Sequence, residues 1–152
     1  MKGRIIALDV IPEIVQQATL LQRSIDAVGL DKQLVELVKI RASQLNGCAY
    51  CLHSHTQDAL KLGETPTRIF LLSAWHESTL FSPRERAALA WTDRLTRIAE
   101  NIETEALFAD LKALFTDEEI AVLNSTIAMI NLRNRWAIGL GYVHAAENET
   151  PR

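Results

Sequence analysis

Cysteine is scarce in this chain of 152 residues: only Cys48 and Cys51 occur. That is too few for a disulfide-stapled scaffold, and a chain this long can bury a core without one. Positive charge is not in excess either. Sixteen Lys and Arg against nineteen Asp and Glu leave a net charge of −3, interleaved along the chain, and no basic stripe marks a nucleic-acid partner. No apolar run reaches the roughly 18 residues of a membrane span, so no membrane partner is expected. Lys2 and Arg4 precede only a short apolar stretch broken by Asp9, which is not a signal-peptide pattern. Strand alternation is missing, because no window alternates apolar and polar residues for long. A reducing, cytoplasmic setting is the expectation, and there a C-x-x-C is more often catalytic or metal-binding than structural.

What remains is helical periodicity with frequent punctuation, which predicts a single all-α domain over residues 1–146 and a polar tail over 147–152. Pro12 opens a helix that runs to Val28, with Gly29 as its cap. Asp31 caps a second helix over 32–45. Asn46 is the expected N-cap of a third, over 47–62, closed by Gly63. Thr65-Pro66 starts a fourth, to Thr79. Ser82-Pro83-Arg84-Glu85 and Thr116-Asp117-Glu118-Glu119 are capping boxes. They open helices to Glu100 and to Ile138, with a shorter helix over 104–114 between them. The last helix is apolar on most sides, which fits a central position or a face shared with another subunit. Trp75, Trp91 and Trp136 read as core.

Cys48, Cys51 and His55 carry the chemistry. At about 100° per residue they fall within an arc of about 60° on the third helix. A helix N-terminus favours an anion, which lowers a thiol pKa and favours Cys48 as the attacking group. His55 lies one turn from Cys51 and can relay its proton, which favours Cys51. Thiols three apart can close a disulfide, so the pair can run a redox cycle. Two buried structural cysteines, or a zinc site using Cys48, Cys51 and a histidine, are the competing readings. No cofactor is called for. Glu36 shares a polar stripe with Lys32, Lys39 and Ser43, and taken alone reads as a solvated carboxylate. Asn131 and Asn134, with Arg133 and Arg135, read equally as pocket or interface residues.

The run from Leu34 to His55, with Glu36 twelve residues before Cys48 and a histidine four after Cys51, resembles the AhpD-like branch of the carboxymuconolactone decarboxylase family. The similarity extends through Phe81–Leu89, Thr116–Glu119 and Asn131–Arg135, over roughly residues 30–140. The resemblance implies an all-helical AhpD-like bundle that assembles into homo-oligomers, often trimers or hexamers. It implies reduction of alkyl hydroperoxides, with an external dithiol or protein reductant restoring the thiols. It also implies roles for Glu36, His55, Cys51 and Cys48 as a proton relay and redox pair, with Cys51 attacking and Cys48 resolving. A redox sensor whose disulfide alters assembly is the alternative. The decarboxylase branch generally lacks the cysteine pair. Peroxidase members carry a histidine between the cysteines where this chain has Tyr50, an auxiliary group whose hydroxyl can donate a hydrogen bond but is no base near neutral pH.

Overall fold

The structure, a computed structural model, describes residues 3–100 and 103–144. Its regular elements are all helices: α1 (Ala7–Val10), α2 (Pro12–Val28), α3 (Lys32–Asn46), α4 (Ala49–Lys61), α5 (Pro66–Leu71), α6 (Pro83–Thr96), α7 (Glu105–Leu114) and α8 (Asp117–Leu140). A 3₁₀ turn over Leu72–Ala74 follows α5. The expected tail over 147–152 lies outside the described residues.

The caps explain most helix ends. Asp31 accepts the Leu34 N–H at 2.8 Å. Both capping boxes form, at Ser82/Glu85 and Thr116/Glu119. Gly29 ends α2 with φ +99°, a conformation that L side chains resist.

Helix α3 is the hub, packing on α4, α6 and α8. Its Leu37, Val38 and Ile40 are buried completely, as are Leu123 and Leu89 on the neighbouring helices. Each such side chain contributes about 1.5–3 kcal/mol on leaving water. Arg41 of α3 reaches Asp93 of α6 through two hydrogen bonds of 2.6 and 2.7 Å, and the Trp75 indole donates to the same carboxylate at 3.4 Å. The buried charge is therefore paired in a fork geometry.

Five expectations change. Asn46 ends α3 instead of capping α4, and Cys48 is the cap. The fourth helix stops at Leu71, not Thr79. Arg86 captures the chain beyond it, donating to the carbonyls of Trp75, His76 and Ser78 at 2.9–3.0 Å, so these groups find partners outside a helical ladder. Helix α6 ends at Thr96 rather than Glu100, where Thr96 accepts from Asn131 of α8. A short α1 precedes α2. Trp136 is half-buried, while Trp75 and Trp91 are core residues.

Candidate active site

The α3–α4 connection sets the site. Gly47, at φ +67°, lets the chain reverse, and Cys48 then takes an extended conformation at φ −87°, ψ 92°. Its backbone N–H is held by the Ser43 carbonyl at 3.0 Å. Its Sγ accepts the Cys51 N–H at 3.4 Å, so a thiol fills the place of an N-cap hydroxyl. Both cysteines are free and buried, Cys48 at 1% exposure and Cys51 at 4%.

The same hairpin lays α4 against α3 and brings Glu36 beside His55. Glu36 Oε2 lies 2.8 Å from His55 Nδ1, and Oε1 accepts from Lys39 Nζ at 2.9 Å. Glu36 is only 7% exposed, so the solvated-carboxylate reading is wrong: the stripe turns inward because His55 and Lys39 satisfy both oxygens. Burial alone pushes the Glu36 carboxyl up. The His55 bond and charge, joined by Lys39, outweigh it and hold the group below the ordinary carboxylate range. An ionised carboxylate only accepts, so Nδ1 carries the hydrogen, and in the neutral ring Nε2 is left as the basic nitrogen.

Beneath the thiols lies an amide network. Asn46 Nδ2 donates to Asn134 Oδ1 at 2.8 Å and to Asn131 Oδ1 at 3.0 Å. Asn134 Nδ2 donates to Ser43 Oγ at 3.0 Å, and Asn134 favours the ionised form of the Cys51 thiol. Asn131 and Asn134 therefore face inward rather than towards an interface. Their i, i+3 spacing on an apolar helix was the sequence signal; the partner Asn46 was hidden in its expected capping role.

Above Cys51 a cavity of about 660 Å³ opens. Cys51, Tyr50, Ser54 and His55 line it from α4, and Arg133 and Trp136 line it from α8. Ile5, Ile6 and Leu8 close another side. That strand of chain is tied down by Arg4 and Ile5 N–H bonds to the Leu140 carbonyl, both 3.2 Å. Cys48 does not border the cavity. Tyr50, 40% exposed, packs edge-on against Tyr142 at 5.4 Å, which makes it wall rather than relay.

Burial pushes the Cys51 thiol up to about 12, aided by the adjacent Cys48 thiol and opposed by Asn134 and Arg133. At Cys51, burial of the thiolate works against the lowered thiol pKa that the helix N-terminus favours. Among the described residues, the group with metal-ligand spacing is Glu36, His55 and Asp58, and it contains neither cysteine. Lys39 and Lys61 already neutralise its two carboxylates, at 2.9 and 2.8 Å.

An all-helical domain with a buried dithiol at a helix start, a carboxylate–imidazole pair beside it and an apolar cavity above defines an AhpD-like class of protein. The chain belongs to the carboxymuconolactone decarboxylase family, whose model matches residues 12–94, and to its AhpD-like branch. It is 34% identical to the uncharacterized protein YdfG of Bacillus subtilis over 141 residues, covering 93% of this chain and 96% of that one. A crystal structure from Agrobacterium tumefaciens, of a protein of unknown function provisionally assigned to antioxidant defence as AhpD, superposes with a TM-score of 0.92 at 36% identity. It covers 96% of this chain and 100% of that chain. An uncharacterized peroxidase-related protein from Silicibacter superposes with a TM-score of 0.77 at 25% identity, covering 89% of this chain and 72% of that one.

Proposed function

We propose that this protein is a dithiol peroxidase that reduces organic hydroperoxides. The observation that carries the reading is Cys51 bordering an apolar cavity beside His55, with Cys48 buried behind it and bonded to the Cys51 N–H. In this reading His55, oriented by Glu36, takes the Cys51 proton as the sulfur attacks the terminal peroxide oxygen. The O–O bond breaks, the alkoxide leaves as alcohol with a proton, and Cys51 becomes a sulfenic acid. Cys48 then attacks that sulfur, the S–S bond forms, and the S–O bond breaks with release of water. Two thiols are oxidised, one hydroperoxide is reduced, and an external dithiol restores the pair. Because burial keeps Cys51 protonated, proton transfer accompanies attack and no standing thiolate is required. Tyr50 contributes shape.

Homo-oligomer assembly belongs to the same reading. Helices α1 and α2 leave Leu8, Val10, Ile14 and Leu21 exposed, an apolar face of the kind that partners cover.

The test is reduced protein mixed with cumene hydroperoxide, scored by peroxide consumed and by free thiols. Two thiols lost per peroxide in a single turnover, with Cys48→Ser and Cys51→Ser both inactive in the dithiol-driven cycle, are the expected results. Wild-type turnover in both single variants sinks the reading. The protonated, buried thiol also favours a second one, a slow redox sensor. That predicts sluggish peroxide consumption with an elution volume that shifts on adding dithiothreitol, and an unchanged volume counts against it.

A further inference from the structure

The cavity walls are apolar, contributed by Ile5, Ile6, Leu8, Ile130 and Trp136, yet two cations, Lys39 and Arg133, also line them. No aspartate or glutamate is among the lining residues. Lys39 is spoken for by Glu36 at 2.9 Å. Arg133 is half-buried, and no carboxylate among the described residues forms an ion pair with it. A half-buried guanidinium lining an apolar cavity, with no carboxylate partner among the described residues, is free to pair with an anion that enters. Its planar fork matches carboxylate and phosphate oxygens two at a time.

We infer that the cavity takes amphipathic ligands, in which an anionic head group pairs with Arg133 and an apolar body lies along the Ile5, Ile6 and Trp136 walls. Resting on the peroxidase reading, this makes the substrate class acidic, long-chain organic hydroperoxides rather than small neutral ones. The volume of about 660 Å³ suits such a body, since small-molecule sites span roughly 300–1,000 Å³.

Binding is measured on the reduced full-length protein by quenching of Trp136 fluorescence, with dodecanoate, dodecyl phosphate and dodecanol as probes; Trp75→Phe and Trp91→Phe versions identify the Trp136 signal. Both anions are expected to bind about tenfold or more tightly than the alcohol, the weight of a charge-assisted bond. Whichever anion binds better identifies the head group. Arg133→Gln should bring the three within about twofold, and Arg133→Lys should keep part of the preference. Equal binding of dodecanol and the anions to wild type overturns the inference, as does a preference that survives Arg133→Gln in folded protein. Turnover separates the two claims. Arg133→Gln should raise KM for an acid hydroperoxide by a larger factor than KM for its methyl ester, while any change in kcat, which the Arg133 charge near Cys51 also affects, is common to both. Failure to reduce any hydroperoxide removes the peroxidase reading, while the binding comparison still decides the anion site.

Discussion

Alkylation of Cys51 sets burial against the helix dipole. The ordinary thiol value of 9.0 rises to about 12 at Cys51, with burial as the largest cause. That rise favours the thiol over the thiolate by roughly 4 kcal/mol. The thiolate fraction at pH 7 is then about a thousandfold below that of a free cysteine. Reduced protein is treated with iodoacetamide between pH 7 and 10.5, and the labelling of Cys51 is followed by peptide mass analysis. Poor reagent access lowers every rate alike, so the slope is decisive. The logarithm of the rate should climb by about one per pH unit through pH 10, with no plateau. A plateau at or below pH 8 refutes the burial argument and restores the dipole-activated thiolate.

The same shift makes a stability prediction. Unfolded Cys51 ionises from about pH 9 and the folded thiol does not, so its contribution is complete below pH 9 and drains as pH rises towards 12. By pH 10.5, wild type should lose at most about 2 kcal/mol relative to Cys51→Ala, read from urea midpoints at each pH; parallel pH profiles contradict it. Glu36→Gln removes the charged acceptor of the His55 N–H and should cut peroxide kcat/KM by about a hundredfold, with His55→Leu costing at least as much; unchanged kinetics in Glu36→Gln removes the relay. Arg41→Met leaves the half-buried Asp93 with only the Trp75 indole and should destabilise by about 3 kcal/mol in urea unfolding, whereas a loss under about 1 kcal/mol marks the pair as dispensable. Asn46→Ala strips a donor from both Asn131 and Asn134 and should cost about 1–3 kcal/mol; a Tm equal to wild type contradicts the amide network.

Helix existence was legible wherever the start carried its own local signal. Asp31, Ser82 and Thr116 cap as their sequence contexts predict, because a side chain three residues from its backbone target needs no tertiary help. Ends decided by distant groups were not legible. Nothing near Leu71 announces that Arg86, on the next helix, will hold the carbonyls of residues 75, 76 and 78. Asn46 is a good cap by type, yet its amide bridges two asparagines 85 and 88 residues away, and the weaker sulfur of Cys48 does the capping. Glu36 is the same lesson at the site. Its polar stripe reads as solvent-facing until α4 folds over it, and then His55 and Lys39 supply what water would have.

The Cys48 substitution at the cap couples fold to chemistry. A thiol that accepts the Cys51 N–H is anchored at the mouth of α4, which holds the two sulfurs within one turn of each other without a disulfide. Cys51 borders the cavity and Cys48 does not, so under the proposed reaction access assigns Cys51 to meet the peroxide. The dipole argument for Cys48 concerned acidity and ignored access. Tyr50 follows from the same geometry. Residue 50 sits at the rim against Tyr142, whereas the imidazole that faces the cavity beside Cys51 is His55, held from behind by Glu36. In the proposed reaction, His55 is the group that receives the Cys51 proton, with no part for residue 50. Tyr50 lines the cavity against Tyr142, and the Glu36–His55 pair forms with tyrosine at this position.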